Sequence, residues 1–211
     1  RFAGTPFLFK VGAPGRHFAM NALAVYGVAE LVGADTGVAG CDLANWAAPS
    51  GRGNRERLVL DPVEDFSIQL IDDAFNANPA SLAAALEVLA TIAPETGQGR
   101  IMQGRRIAIL GDMLELGPQE AALHAAIARL PSLASVDRID CVGPRMRALY
   151  DVLPSEKQGR AVDSAEELVK DAHRLIDAGD VVLVKGSKGS RVSLVVDALR
   201  GLAKTTEEGL R

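Results

Sequence analysis

The sequence predicts an α/β fold, a mostly parallel sheet covered by helices on both faces, and three observations carry that expectation. Beyond residue 65, short β-rich runs alternate with helical ones: FSIQLI with PASLAAALEVLATI, RRIAILG with PQEAALHAAIARL, RIDCVG with PRMRALYDVL, GRAV with SAEELVKDAHRLI, and DVVLVKG with SRVSLVVDALRGLA. Strands separated by helices of this length are joined by right-handed crossovers, which lay neighbouring strands parallel. The runs IAIL and VVLV are apolar throughout, as strands buried on both faces must be. Finally, 48% of the 211 residues are apolar and 24% charged, a composition that supports a packed globular core.

Taken in order, PFLFKV reads as a strand, GAPG as a turn, and HFAMNALAVYGVAELVG as a helix. In that helix Met20, Leu23, Ala24, Val28 and Leu31 share one face, and Gly33 is a stop signal. Pro, Ser and Gly cluster over Ala48–Gly53, which marks a boundary. The expected division is therefore a leading segment of residues 1–48 and a Rossmann-like domain of residues 49–211. Within that domain, Pro79 suits a first helical position, and Ser164 with Glu167 has the spacing of a capping box. The chain opens on Arg1, and RFAGTPFLFKVGAPGRH has the character of a domain interior, so a piece of a longer polypeptide is expected.

Bulk properties argue against several function classes. The net charge is −4, Lys and Arg are scattered, and aromatics make up 4%, which speaks against a nucleic-acid surface. No apolar run reaches the ~18 residues of a membrane span and no signal peptide is visible, so a cytoplasmic protein away from membranes is expected. Cys41 and Cys141 have no metal-ligand spacing and are expected to be reduced, buried thiols.

In parallel sheets, ligands gather where strands end and helices begin. Three such exits are polar beyond the needs of a turn. The first is QLIDDAFNANPAS, where Asp72 and Asp73 precede Asn76, Asn78 and Pro79. A carboxylate there could hold ribose hydroxyls and an amide could face a ligand. Capping by Asn78 or Ser81 and the helix dipole account for one acid and one amide, and leave the other pair unexplained. The second exit, ILGDMLELG, projects Asp112 and Glu115, with His124 on the following helix. The third, VLVKGSKGSRV, delivers Lys185 and Ser187 near a helix start, which suits an anion, a carboxylate or a phosphate. Neither a GxxxxGK[ST] loop, nor GxGxxG after a strand, nor GxSxG occurs, so these residues describe a ligand-binding domain without fixing a reaction.

Together the three exits resemble the Mur ligase family. IDDAFNANPASLAAALEVLA is similar to a signature of the branch that adds D-alanyl-D-alanine, RRIAILGDMLELG with His124 to its next strand and loop, and VLVKGS to its last strand. APGRHFAMNALAV resembles the element that closes the family's central ATPase domain. The likeness runs through essentially the whole chain in the right order. Phe18 stands where the family has Asn, and Ala74-Phe75 where it has Ser-Tyr.

This resemblance implies an ATP-dependent amide ligase that joins D-Ala-D-Ala to UDP-MurNAc-tripeptide through an acyl phosphate, in peptidoglycan precursor synthesis. ATP and Mg²⁺ are the implied cofactors, and a monomer the implied state. The phosphate-binding loop, Mg²⁺-binding acids and modified lysine would lie upstream, so this chain alone is expected not to catalyse ligation. By similarity, Asn21 falls on the adenine contact, Arg52 on the arginine that reaches the nucleotide phosphates, and Asp73 on the ribose aspartate. Asn76, Asn78, Asp112, Glu115, His124, Lys185 and Ser187 would face the cleft that admits the dipeptide. Two rivals are a related Mur or folylpolyglutamate-type ligase, and a stand-alone α/β module that binds a small metabolite without catalysis.

Overall fold

The computed structural model describes residues 8–13, 15–98, 100 and 102–208. The chain forms two compact units, Arg1–Pro49 and Ser50–Arg211.

In the leading unit, helix α1 spans Arg16–Leu31 and α2 spans Thr36–Asn45. The first ends in a paired-bond stop: Gly33 (φ 72°) donates to the Glu30 carbonyl and Ala34 to Ala29. Asp35 caps α2 by accepting from the backbone N–H groups of Gly37 and Val38. Two expectations change here. Residues 8–11 do not form a strand; the remainder of PFLFKV lies outside the described residues. The aliphatic stripe of α1 is also exposed at Met20, Leu23, Ala24, Val28 and Leu31. Aromatic contacts secure that helix instead, with Phe9 stacked on Tyr26 and Phe18 leaning on Trp46.

The second unit is built on a six-stranded sheet: β1 (Asn54–Asp61), β2 (Phe66–Asp73), β3 (Arg106–Gly111), β4 (Arg138–Val142), β5 (Gln158–Val162) and β6 (Val181–Lys185). Its order is β1-β2-β6-β3-β4-β5. All neighbours are parallel except β1, which pairs antiparallel with β2. Helices α3 (Pro79–Thr91), α4 (Glu120–Ala126), α5 (Arg147–Tyr150), α6 (Ala165–Val169) and α7 (Ser193–Glu208) connect and cover the strands. Several expected helices are shorter than their runs: α4, α5 and α6 each adjoin 3-10 or irregular turns.

Alternation of side chains along the buried strands divides the core in two. On one face, Leu82, Leu86 and Leu89 of α3 pack with Ile71, Leu110, Ile139 and Leu183. On the other, Val195, Val196 and Leu199 of α7 and Leu168 of α6 pack with Ile68, Leu70, Ile109 and Val184. Burying each such aliphatic side chain contributes on the order of 2 kcal/mol.

Helix α3 begins as expected, with Pro79 in its first turn. Asn78 Oδ1 accepts from the Ser81 N–H at 2.8 Å, and Ser81 Oγ accepts from the Asn78 N–H at 3.0 Å. The expected capping box at Ser164 is absent. Ser164 holds the N-cap position without a side-chain cap bond, and α6 is only five residues long. Glu166 and Glu167 meet the positive end of that helix, and Glu166 is paired with Arg191.

Both cysteines are free, but Cys41 is exposed, contrary to the expectation of two buried thiols, because it lies on the outer side of α2. Cys141 is buried in β4, and that burial pushes its thiol up to about 12. A thiol-specific disulfide reagent should therefore titrate one cysteine in the native chain and two in denaturant. Rapid modification of both in the native state would contradict this packing.

Candidate functional site

The three polar exits belong to β2, β6 and β3, which are adjacent in the sheet. Asp73 and Leu110 flank Lys185 in register, so the loops leave the sheet side by side at its carboxyl edge. This is the place where parallel sheets bind ligands.

Successive residues of a strand point to opposite faces, and this separates the two acids at the end of β2. Asp73 faces the α3 side, where its Oδ2 is 2.7 Å from Lys185 Nζ. Lys185 is 1% exposed, and its ammonium also donates to the Asn76 carbonyl at 2.8 Å. Burial pushes the Lys185 pKa down, the Asp73 charge and hydrogen bond oppose that shift, and nearby Arg52 adds to it. Asp72 faces α7. Its side chain accepts from Arg200 Nη2 at 3.0 Å and from the backbone N–H groups of Gly51 and Ala74, each at 3.3 Å.

Ser187 knits the exits together. Its hydroxyl accepts from the Leu114 N–H at 2.9 Å and donates to the Ala77 carbonyl at 3.3 Å, while its N–H donates to the Asp112 carbonyl at 3.0 Å. Close approach of two glycines permits this seam. A side chain on Gly111 would meet Val192 and Ser190 within 2.6 Å, and one on Gly186 would meet Ser190 Oγ at 2.5 Å.

The exit of β3 is ordered from beneath. Asp112, 4% exposed, accepts from the Met146 N–H at 2.8 Å, and Arg145 lies 3.5 Å from its Oδ2. His124 is fully buried. Its Nδ1 lies 2.7 Å from the Glu120 carbonyl, which can only accept, so Nδ1 carries the proton. Nε2 then accepts from the Met113 N–H at 3.0 Å. Beyond Met113 the loop turns outward, and Glu115 is exposed with a left-handed backbone (φ 63°).

The linker contributes the remaining charge. Arg52 places its guanidinium 4.4 Å from the centre of the Phe75 ring, with Lys188 Nζ 5.8 Å from the same ring. Beside them is a small cleft of roughly 190 Å³ lined by Gly51, Asp72, Phe75, Lys188, Ser193 and Arg200.

Of the residues singled out in the sequence, the fold brings Arg52, Asp73, Asn76, Asn78, Asp112, Glu115, Lys185 and Ser187 to this edge. Asn21 is exposed on α1 of the other unit. Asn78 serves as the helix cap, and Asn76 Oδ1 accepts from the adjacent Ala77 N–H at 2.9 Å. Phe75 as a platform, Lys188 and Arg200 were not anticipated. Phe75 and Lys188 lie within the quoted motifs, whereas Arg200 has no local signal, being 128 positions from its partner Asp72. A Mg²⁺ site does not fit here. Asp72 and Asp73 diverge to opposite faces, each against a cation, and the described residues contain no cluster of three or more His, Cys, Asp or Glu groups.

Replacing Lys185 by Met should cost about 3 kcal/mol in urea unfolding, because the Asp73 carboxylate loses its buried ammonium. Adding Asp73→Asn in that background should cost less than Asp73→Asn does alone. Additive losses would rule out a coupled pair.

Comparison with known proteins places this edge in context. Residues 60–188 match the family described as "Mur ligase, glutamate ligase domain". Over 190 residues the chain is 33% identical to the UDP-N-acetylmuramoyl-tripeptide–D-alanyl-D-alanine ligase of Escherichia coli (strain K12), covering 89% of this chain and 38% of that protein. The corresponding ligase of Rickettsia prowazekii is 29% identical over 182 residues, covering 86% of this chain and 37% of its own length. The chain thus spans well under half of these relatives. A UDP-N-acetylmuramoylalanyl-D-glutamyl-2,6-diaminopimelate–D-alanyl-D-alanyl ligase from Acinetobacter baumannii superposes with a TM-score of 0.70 at 25% identity, over 90% of this chain and 38% of that one. MurF ligase from Thermotoga maritima, solved with ADP, shares the fold at a TM-score of 0.70 and 21% identity, over 92% and 40% of the two chains. A sheet of this order, with its polar exits on three adjacent strands and a family match over most of the second unit, shows that the chain belongs to the Mur ligase family.

Proposed function

We propose that this chain is the carboxyl-terminal part of an ATP-dependent amide ligase that joins D-alanyl-D-alanine to UDP-MurNAc-tripeptide, with residues 1–48 the end of a central ATP-binding domain and 49–211 the domain that presents the incoming amine. The observation that carries this reading is the convergence, on adjacent strands, of three loops whose sequences resemble those of the D-alanyl-D-alanine-adding branch, tied by Ser187 and Lys185. The activity for which these relatives are named supports the substrate pair, and their greater length leaves room for a further region with the phosphate-binding loop and Mg²⁺ ligands.

In this reading the residues divide by role. Arg52 and Asp73 would hold the nucleotide, at phosphate and ribose, and Asn21 would meet the adenine. Arg52 comes to that task already placed over Phe75, and Asp73 already oriented by Lys185. Glu115, exposed on a strained turn, is the side chain best placed to receive the dipeptide's ammonium, with Asn76 exposed at the exit of β2. Lys185, Ser187, Asp112, His124 and Asn78 shape the cleft by holding backbone, because their polar atoms are engaged within the chain. Amide formation through an acyl phosphate requires exclusion of water, and a prearranged wall of this kind is what a closing domain must present.

The complete open reading frame containing this chain should release ADP from ATP and Mg²⁺ only when both UDP-MurNAc-tripeptide and D-Ala-D-Ala are supplied. ADP release with the dipeptide replaced by another amine, or none with the full substrate set, would overturn the assignment. The 211-residue chain by itself should show no tight, Mg²⁺-dependent ATP binding in calorimetry, since most phosphate contacts would come from the upstream region.

A further inference from the structure

We infer that Arg200, on α7, is a positioning residue that sets the nucleotide-facing Arg52 by latching the linker to the end of β2 through Asp72. The inference rests on the role proposed above for Arg52.

Arg52 sits in the run Ser50-Gly51-Arg52-Gly53, where the glycines on either side have φ of 74° and 77°. Such a segment is free to sample many conformations, and its arginine would be poorly placed without restraint. Restraint comes from Asp72. Its carbonyl accepts from the Gly53 N–H at 2.8 Å and its Oδ2 from the Gly51 N–H at 3.3 Å. Gly51 also returns a bond, its carbonyl accepting from the Phe75 N–H at 3.2 Å. Both neighbours of Arg52 are therefore fastened to the strand end, and the guanidinium between them settles over the Phe75 ring. A side chain at residue 51 would press on Phe75 Cβ at 3.1 Å, so the latch and the platform fit only around glycine.

Asp72 could not do this alone. Its side chain is 4% exposed, and a carboxylate that far from water needs a compensating charge. Arg200 supplies it from 128 residues away, at 3.0 Å, while its Nε holds Glu56 of β1 at 3.0 Å. The fork geometry of guanidinium lets one side chain serve both acids. Arg200 thereby holds the Asp72 carboxylate aimed at Gly51, and acts on the nucleotide only through that carboxylate and the linker.

The test has two arms. In NMR of the chain, the Arg52 side-chain N–H should be shifted upfield by the Phe75 ring, and the Gly51 amide should exchange slowly. Arg200→Met should abolish the upfield shift and speed Gly51 exchange about tenfold, as expected for loss of one charge-assisted hydrogen bond. Arg200→Lys, which restores the charge without the fork, should recover part of both. In the complete polypeptide, Arg200→Met should raise KM for ATP about tenfold with kcat changed less than about twofold, the pattern of lost ground-state binding. If Arg200→Met does not fold, Asp72→Asn provides the same two readings. Unchanged Gly51 exchange and Arg52 shift in whichever of Arg200→Met and Asp72→Asn folds would overturn the latch. A wild-type polypeptide that never consumes ATP would instead sink the ligase reading and the nucleotide role, with the latch itself still judged by the NMR arm.

Discussion

The pleat of β2 sends Asp72 and Asp73 to opposite faces of the sheet, and much of the second unit is organised around that divergence. Asp72 is buried and Asp73 partly so, and the fold provides a cation for each. Lys185 arrives from the neighbouring strand β6, and Arg200 from α7. Each pairing does more than neutralise charge. The first draws in the Asn76 carbonyl and shapes the turn into α3, and the second reaches the linker and β1. Two adjacent residues thus join parts of the chain that lie more than a hundred positions apart.

The same economy governs the loops. Buried polar side chains at this edge are satisfied by backbone: Ser187 by Leu114 and Ala77, Asp112 by Met146, His124 by Glu120 and Met113. Leaving any one of those groups buried and unmade would cost on the order of 1–3 kcal/mol, so each bond selects one loop conformation over its competitors. Residues left at the surface, Glu115 and Phe75 among them, take definite positions from this backing. Rigid backing of exposed groups is the general requirement for a precise binding surface.

Legibility from sequence followed the physical range of each signal. The apolar runs of β3 and β6 and the Asn78-Pro79 helix start are local and were read correctly. Strand β1 was missed because Asn54, Arg55, Glu56 and Arg57 are polar on both faces of an edge strand, which leaves no apolar alternation to read. The Ser164-Glu167 spacing matched a capping box that a five-residue helix does not form. Asp73 and Glu115 stood out as polar groups at strand exits, and Arg52 only through the family resemblance. Whether a polar group touches ligand or backbone depends on burial, and burial of Lys185, His124 and Ser187 is decided by strands and loops far away in sequence. The part played by Arg200 had no local trace at all, since an arginine on an amphipathic helix looks like any solvated charge.

The order of the sheet bears on how the molecule is made. Strand β6, the last strand among the described residues, lies between β2 and β3, pairing Gln69 with Val181 on one side and Arg106 with Val181 on the other. During synthesis β2 and β3 emerge early and cannot complete their ladders until residues 181–185 follow. Through that interval two apolar strand edges wait open, the condition under which nascent chains stray into wrong pairings. Such long-range closure also makes for slow folding. Strand β6 carries Lys185, with Ser187 just beyond it, so the closing of the sheet and the tying together of its three polar exits are a single event.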